Sequence, residues 1–380
     1  MIQPGRHMAD IPPSGIRRYF ELAEEREEVI SLGVGEPDFS APWPVREAAI
    51  ASLERGRTSY TTNRGLRELR EAIATYVSDQ FDLDYHPNHD ILVTTGASEA
   101  VDLALRALVE PGDTVAIAEP TYLSYRPIAE LAGADVLPVP THERDAFRLT
   151  PSALREAGAE DADYLVMCYP NNPTGAIMTA TDLRAVAEFV RSHDIGVISD
   201  EIYAELTYQN DHVSIASLPD MRERTVVVNG FSKAFAMTGL RLGFSLAPRE
   251  TTDAMNRIHQ YSMLSAPTTA QYAALEGIEN CLDSVVDMRE QYNRRRNYVI
   301  SRFHEMDIAC FEARGAFYVF PTCPAEDTDA FVEGLLEEEG VAVVPGDVFG
   351  EAGAGHLRVS YATGMDQLRT AMNRIERYIG

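Results

Sequence analysis

Lys233 is the only lysine among the 380 residues of this chain, and it lies in the segment "NGFSKAFAMTGLRLG". The chain has 33 basic residues, so the other 32 are arginines. Arginine replaces lysine in most surface roles, but a guanidinium cannot lose its proton and act as an amine nucleophile. A Schiff base requires such an amine. The composition therefore indicates amine chemistry at Lys233. The alternative is a surface lysine kept by chance, and the neighbouring Ser232 and Arg241 count against it.

Polar residues follow several apolar runs, at the points where strands of a sheet would end. They are Gly96-Ala97-Ser98-Glu99, Asn171-Asn172-Pro173, Asp200-Glu201 and Ser232-Lys233. Ligands of open α/β sheets bind at the carboxyl ends of the strands, so these residues form a candidate site. The first group leads into a helical pattern, whose free N–H groups and dipole would suit a phosphate. A plain serine helix cap is the alternative there.

Seven short apolar runs predict the strands that would position this site. They lie at residues 90–96, 114–120, 135–140, 164–170, 195–200, 225–230 and 242–248. Several are apolar throughout, which is typical of strands covered on both faces, and helical patterns alternate with many of them. We therefore expect an α/β fold, with a mostly parallel seven-stranded sheet in a large domain and a smaller α+β domain. The expected units are an N-terminal segment over 1–44 that packs with the small domain, a large domain over 45–283 and a small domain over 284–380.

The chain is strongly acidic, with 59 acidic against 33 basic residues and a net charge of −26. This balance argues against nucleic acid or an anionic membrane surface as a partner. Dispersed acid with a single lysine suggests a salt-rich cytoplasm, where counterions screen self-repulsion. Codon drift in a GC-rich genome with ordinary solubility is the alternative.

Cysteine usage and hydropathy bear on the compartment. The four cysteines form no CxxC pair, which predicts a reducing compartment without disulfides or a zinc site. His86 and His89 flank a Pro-Asn turn signal, and we expect no metal there. No apolar run approaches the roughly 20 residues of a membrane span, and no signal peptide pattern opens the chain. We expect a cytoplasmic protein.

Seven motifs, in family order over residues 14–375, resemble those of class I/II pyridoxal-phosphate-dependent aminotransferases. They are "SLGVGEPDF" (31–39), "RGLRELREAIA" (64–74), "YPNNPTG" (169–175), "SDEIY" (199–203), "SKAFAMTGLRLGF" (232–244), "GAFYVFP" (315–321) and "LRVSYAT" (357–363). The sequence is most similar to the archaeal aspartate and aromatic aminotransferases of the gamma-type branch. The resemblance implies fold type I and pyridoxal 5′-phosphate as cofactor.

The resemblance also implies roles around the cofactor ring. Lys233 would form the Schiff base and then move the proton between the substrate Cα and the cofactor. Asp200 would pair with the pyridinium nitrogen, with a cap after the strand as the alternative. Tyr203 and Asn172 would hydrogen-bond the ring's 3-oxygen, and Tyr122 would stack on the ring. A core or turn position is the alternative for each of these three.

Further resemblances concern the phosphate and the substrate. Arg241 and Ser232 would bind the phosphate, together with the start of the helix at Gly96, Ala97 and Ser98, and an exposed surface arginine is the alternative for Arg241. Tyr60 matches a tyrosine that contacts the phosphate of the neighbouring subunit, which implies a homodimer with shared sites.

Arg358 matches the arginine that binds the α-carboxylate of the substrate, and its apolar surroundings favour a ligand because an unpaired buried charge is costly. Gly35 and Asn172 would also contact the substrate. Some aspartate-specific relatives have lysine where this chain has Ser98, so the donor stays open. Gly230 replaces a hydroxyl residue found in some relatives.

The resemblance and the chemistry together predict an amino-acid aminotransferase that acts by a ping-pong cycle. An L-amino acid, with aspartate or an aromatic residue favoured, would donate to a 2-oxo acid, with 2-oxoglutarate favoured. A β-lyase or related deaminase on the same scaffold is the enzymatic alternative. A non-catalytic cofactor-binding regulatory module is the remote one.

Overall fold

The computed structural model describes residues 29–380 without a gap, and residues 3, 5, 8, 11, 13, 15 and 16. The expected N-terminal unit, 1–44, therefore lies partly outside the described residues. In this part of the chain the strands are β1 (Ile30–Ser31), β2 (Ile91–Thr94), β3 (Thr114–Glu119), β4 (Asp135–Pro140), β5 (Tyr164–Cys168), β6 (Gly196–Asp200), β7 (Thr225–Gly230), β8 (Gly243–Leu246), β9 (Tyr318–Val319), β10 (Val341–Ala342), β11 (Val344–Pro345) and β12 (Leu357–Ser360).

The α-helices of the same residues alternate with the strands of the first half and dominate the second. They are α1 (Trp43–Glu54), α2 (Arg67–Phe81), α3 (Ala97–Leu108), α4 (Tyr125–Ala132), α5 (Pro151–Ala157), α6 (Ala180–Ser192), α7 (Arg249–Ser262), α8 (Thr268–Asn280), α9 (Leu282–Glu305), α10 (Thr328–Glu339) and α11 (Met365–Ile379). Within the described ranges, none of them is long and apolar enough to cross a membrane.

The central sheet has seven strands in the order β2-β8-β7-β6-β5-β3-β4. All neighbours are parallel except β8, which is antiparallel to both β2 and β7. Each of the seven predicted apolar runs contains one of these strands, so the predicted mostly parallel sheet is confirmed. The edge strand β4 carries Pro138 and Pro140, which a central strand would not tolerate because proline cannot donate to the ladder.

Helices cover both faces of the sheet, as the apolar composition of the strands predicts. Along β2, Ile91 and Val93 pack in one cluster with residues of α1, α2 and α8. Leu92 points the other way and packs with residues of α3, α4 and α7. Successive strand residues alternate faces, so a strand buried on both sides must be apolar at every position.

The C-terminal part forms a smaller α+β unit. Strands β9, β12 and β11 make an antiparallel sheet in the order β11-β12-β9, and β1 pairs in parallel with β10 through Ile30 and Val341. The run "GAFYVFP" is strand only at Tyr318–Val319, which is shorter than its pattern indicates. The domain boundaries after residues 44 and 283 stay predictions.

One apolar cluster connects the small unit to the end of the central sheet. It contains Leu32 from the N-terminal segment, Tyr203 from the turn after β6, and Phe317, Val359 and Leu368 from the C-terminal part. Residues from three distant segments therefore share one core beside the carboxyl ends of the central strands. This core lies beside the candidate site at those strand ends.

Candidate active site

A cleft of about 1250 Å³ lies at the carboxyl ends of the central strands, between the sheet and the small unit. It brings together eleven of the residues predicted from the sequence. They are Gly35, Ala97, Ser98, Tyr122, Asn172, Asp200, Tyr203, Ser232, Lys233, Arg241 and Arg358. The strand-end geometry that suggested the site is thus present.

Lys233 lies three residues after β7 and projects into this cleft, where it is half-buried. Its Nζ donates to the carbonyl oxygen of Gly35 at 2.6 Å. The rings of Tyr203 and Phe317 lie with their centroids 5.7 Å from the same nitrogen. The amine therefore faces the N-terminal segment and two aromatic rings.

Burial lowers the pKa of Lys233 to about 8, from an ordinary value of 10.5. The carboxylate of Glu36 opposes this shift, whereas the guanidinium groups of Arg358 and Arg241 add to it. Desolvation and nearby positive charge both disfavour the ammonium form. At a pKa of about 8, roughly a tenth of the amine is neutral at pH 7, and the neutral amine is the form that amine chemistry needs.

Asp200 ends β6 and is buried at the base of the cleft. Its Oδ2 accepts a hydrogen bond from the Tyr125 hydroxyl at 2.6 Å, and its Oδ1 accepts one from the Ile202 amide at 3.1 Å. Burial raises the pKa of Asp200 to about 6, and these two hydrogen bonds oppose the rise. The side chain thus caps a turn, as the alternative interpretation held, and also lines the cleft.

Tyr125 is a site residue that the sequence analysis missed. It is the first residue of α4, it is fully buried, and it lines the cleft three residues after Tyr122. The two rings meet edge to face at 5.6 Å. The spacing in "TYLSY" was the available signal, because both tyrosines follow the end of β3.

The start of α3 forms an open cradle of backbone groups. The helix begins at Ala97 without a side-chain cap, after Gly96 with φ of 81°. A Cβ on Gly96 would lie 2.7 Å from Nη2 of Arg241, and one on Gly243 would lie 2.5 Å from the Ala97 nitrogen. Gly230 is also explained, because its Cβ would approach the Gly243 Cα to 2.8 Å. Free N–H groups at a helix start beside an exposed guanidinium suit a phosphate.

Arg358 lies in β12 and is only 2% exposed. Its Nη1 donates to Oδ1 of Asn172 at 3.0 Å, and its Nη2 donates to the Gly33 carbonyl at 2.5 Å. Its guanidinium lies 4.8 Å from the ring centroid of Tyr318 and 4.7 Å from that of Phe349. Its Nε has no hydrogen-bond partner among the described residues. A buried guanidinium with an unused donor and no carboxylate partner in this part of the chain is suited to an anionic ligand.

Tyr203 and Tyr318 form a buried pair of tyrosines, of which the sequence predicted only Tyr203 as a site residue. Their hydroxyl oxygens are 2.9 Å apart, and burial raises the pKa of both. The motif "GAFYVFP" contains Tyr318, but the sequence assigned that residue no role. Its position depends on strand pairing that the motif does not reveal.

Two predicted residues lie apart from the others. Gly96 lies behind the cleft, in contact with Arg241 as described above. Tyr60 is 78% exposed and does not line the cleft. The chain's own fold therefore does not bring Tyr60 to the site, and its role towards a second subunit stays a prediction.

Comparison with known proteins decides the family. Residues 27–375 match the family described as aminotransferase class I and II. The chain belongs to this family. The predicted family, transaminase activity and fold type I are thereby confirmed, and the cleft is the candidate active site of an aminotransferase.

Known aminotransferases are similar to this chain over almost its whole length. A Bacillus subtilis protein, YugH, whose name suggests an aminotransferase and gives no substrate, is 49% identical, over 98% of this chain and 97% of its own. The aspartate aminotransferase of Pyrococcus abyssi is 43% identical, over 97% of this chain and 96% of its own. The solved aromatic aminotransferase of Pyrococcus horikoshii has a TM-score of 0.90 at 42% identity, and the match covers 94% of this chain and 98% of that one.

Proposed function

We propose that this aminotransferase uses pyridoxal 5′-phosphate to move the amino group of an L-amino acid to a 2-oxo acid. We propose aspartate or an aromatic amino acid as donor and 2-oxoglutarate as acceptor. One observation carries the proposal: the chain's single lysine presents an amine with a pKa of about 8 in the cleft that also holds Asp200 and Arg358.

The residues present fit this cofactor at each of its polar groups. Gly96, Ala97, Ser98, Ser232 and Arg241 would hold the phosphate, since a helix start and a guanidinium offer several donors to a dianion. The unused amide groups at the start of α3 and the exposed guanidinium of Arg241 support this assignment.

Other residues that line the cleft fit the ring of the cofactor. Asp200 would pair with the ring nitrogen, held by the Tyr125 hydrogen bond. Tyr203 and Asn172 would contact the 3-oxygen, and Tyr122 would cover the ring face. When bound, pyridoxal phosphate supplies an aldehyde that receives the amino group and a protonated ring that accepts electron density from the substrate Cα.

The chain's own groups then divide the remaining work. Arg358 would bind the α-carboxylate of the substrate with its remaining N–H donors, which would orient the Cα–H bond towards Lys233. Because its pKa is lowered, Lys233 can take the proton from Cα as a neutral amine and return it as an ammonium group.

Two relatives support the two candidate amino donors. The Pyrococcus abyssi relative is named for aspartate and the Pyrococcus horikoshii relative for aromatic amino acids. Ser98 occupies the position where some aspartate-specific relatives have lysine, so a distal carboxylate would need another partner. Among the described lining residues the cations are Lys233, Arg241 and Arg358, each already assigned above.

We further propose a cytoplasmic homodimer with shared sites, in which Tyr60 contacts the phosphate of the second subunit. Tyr60 is exposed, and Tyr261 and Met263 are exposed by 89% and 51% close by. The segment that contains Tyr60 contacts the segment that contains Tyr261 and Met263, because the side chain of Asn63 donates a hydrogen bond to the Leu264 carbonyl at 2.7 Å. A cluster of exposed aromatic and apolar side chains is suited to a protein–protein contact.

Half-reactions against a panel of amino acids test the function. Each amino-acid donor alone, in high salt, is expected to convert the bound cofactor to its amine form. The resulting change in absorbance should persist until a 2-oxo acid is added. Release of pyruvate and ammonia with recovery of the original band would indicate a lyase. A protein that binds no pyridoxal phosphate, or whose spectrum responds to no amino acid, would contradict the proposal.

A further inference from the structure

Tyr318 connects two parts of the site that the sequence places far apart. Its hydroxyl is 2.9 Å from the Tyr203 hydroxyl, and its ring faces the Arg358 guanidinium at 4.8 Å. It is 1% exposed, so neither contact is weakened by solvent. One buried side chain thus touches both the proposed partner of the cofactor ring and the proposed partner of the substrate carboxylate.

Strand pairing explains why Tyr318 reaches Arg358. In the antiparallel pair of β9 and β12, Tyr318 lies opposite Ser360. Arg358 is two residues from Ser360 and therefore points to the same face, in the diagonal position that long side chains can reach. The ring of Phe349 also contacts the guanidinium, with its centroid at 4.7 Å. Two aromatic rings therefore contact the cation, which restricts its orientation.

The N-terminal segment is shaped around the same hydroxyl. A Cβ on Gly35 would lie 2.5 Å from the Tyr318 oxygen, which is closer than real Cβ contacts. Gly35 also accepts the hydrogen bond from Lys233. Glycine at this position therefore lets the backbone that holds the lysine pack directly against the Tyr318 hydroxyl.

We propose that Tyr318 is a positioning residue that aligns the two ends of the active site, holding Tyr203 through its hydroxyl and Arg358 through its ring. The inference rests on the proposed function. A phenol has one proton to donate. If Tyr203 donates its proton to the cofactor's 3-oxygen, it must accept from Tyr318, and this chain of hydrogen bonds strengthens the donor.

Two substitutions separate the two contacts in the cofactor-loaded enzyme. Tyr318→Phe removes the hydroxyl and keeps the ring, so we expect kcat to fall about three- to tenfold, the effect of one lost hydrogen bond. The KM for the amino acid should stay within about twofold, because the ring still faces Arg358. Tyr318→Leu also removes the ring, and we expect KM to rise about tenfold in addition.

Tyr361→Phe is the matched control. Tyr361 is equally buried, and its hydroxyl donates to the Ala316 carbonyl at 3.0 Å, away from the cleft lining. The pH dependence of the cofactor absorbance adds a readout that does not depend on turnover. We expect Tyr318→Phe to shift this titration and Tyr361→Phe to leave it unchanged. Unchanged kcat and titration in Tyr318→Phe would overturn the proposal, as would equal shifts in both variants.

A double-mutant cycle in the cofactor-free protein tests the geometry without catalysis. Gly35→Ala should lower Tm in the wild-type background, because the new methyl group meets the Tyr318 oxygen. In the Tyr318→Phe background the clash disappears, so the Tm loss should be smaller by about 2 °C. Additive losses would show that the hydroxyl does not pack on Gly35 and would overturn this part.

Failure of the inference and failure of the proposed function give different results. A wild-type enzyme that transaminates normally, with a Tyr318→Phe variant of unchanged kcat and titration, refutes only the role of Tyr318. A wild-type protein that binds no pyridoxal phosphate refutes the function itself. If Tyr318→Leu does not fold, Tyr318→Phe and the cofactor-free cycle still decide the question.

Discussion

Two arginines line the cleft, Arg241 beside the start of α3 and Arg358 in β12, and the protein holds them in different ways. Arg241 is exposed, and its Nη1 donates to the nearby Thr238 carbonyl at 3.1 Å. Arg358 is buried in contact with the rings of Tyr318 and Phe349, and Asn172 is a further partner. The Arg241 end comes from short local motifs, whereas the Arg358 end is assembled from distant parts of the chain.

The two arginines differ in how far the folded protein has already desolvated and oriented the guanidinium. The folded protein has already desolvated and oriented Arg358, so a carboxylate bound there would meet a fixed guanidinium in a low-dielectric site. Arg241 is exposed and keeps much of its hydration, and in the proposed phosphate site it would act together with backbone amides. Both cations lie near enough to lower the pKa of Lys233, and Arg358 contributes more than Arg241. Burial is the largest cause of the shift, and of the two arginines the buried one contributes more.

The largest effect is expected at the lysine between the two ends. Lys233→Arg keeps the positive charge and removes the amine, so turnover should fall by about 10⁴-fold or more. Steady-state kinetics and cofactor absorbance measure the loss, and an unchanged Tm shows that folding is intact. An arginine variant with appreciable turnover would refute the central role of the only lysine.

Matched substitutions at the two arginines come next. Arg358→Lys loses the planar guanidinium that contacts the two rings, and we expect KM for the amino acid to rise about 100-fold. Arg241→Lys leaves an exposed cation near the helix start, and we expect the Kd for pyridoxal phosphate to rise only about tenfold.

Substrate titrations and equilibrium cofactor binding measure these two effects separately. Each variant serves as the control for the other, because each is expected to change mainly one ligand. Equal penalties on both ligands in either variant would show that the two ends do not differ in the way described.

The pH dependence of Lys233 provides a finer test of the same comparison. In the cofactor-free protein, amine labelling of Lys233 should be half-maximal near pH 8, and peptide mapping distinguishes it from the N-terminal amine. Arg358→Gln should raise this pKa more than Arg241→Gln, because the buried cation disfavours the ammonium form more. The opposite order would place the dominant charge at the exposed end.

The sign of the linked stability effect follows from the same shift. The pKa of Lys233 in the folded protein, about 8, lies below the ordinary 10.5, so between these values the unfolded chain binds more protons. The contribution of this group to stability therefore increases as the pH rises through that window. Asp200, with its pKa raised to about 6 from 3.8, has the opposite slope between those two values.

The smallest effect is expected at the glycine beside Arg241. Gly96→Ala places a side chain at φ of 81° and a methyl group near the guanidinium, and should cost about 1 kcal/mol in the free energy of unfolding. Gly364→Ala is the control, since Gly364 has a φ of −58° and open space around it. Denaturant unfolding of both proteins measures the difference, and equal stabilities would show that the tight turn is not required.

Much of the Arg241 end was predictable from the sequence because its parts are neighbours in the chain. Gly96, Ala97 and Ser98 are consecutive, and Ser232 and Arg241 lie in one motif with Lys233. The central strands were predictable for a similar reason. Burial on both faces favours apolar residues at most positions, and that pattern is visible in several of the runs.

The roles of Tyr125 and Tyr318 could not be derived in that way. Tyr125 contacts Asp200 across 75 positions of sequence, and Tyr318 contacts Tyr203 across 115. With 17 tyrosines in the chain, the spacing in "TYLSY" marks Tyr125 only weakly, and nothing local distinguishes Tyr318 from tyrosines of the core. Tyr318 also lies in a strand shorter than its motif suggests, and the pairing of that strand with β12 brings the ring to Arg358.

By itself, the sequence determined the amine, because a composition with 32 arginines and one lysine leaves only Lys233 able to act as a deprotonatable side-chain amine. It also determined the family motifs and the alternation of strands and helices. Only the tertiary structure decided the pKa of that amine and which groups it faces. The pKa of Lys233 depends on burial and on Arg358, 125 positions away in sequence, and such desolvation and charge proximity exist only once the chain is packed.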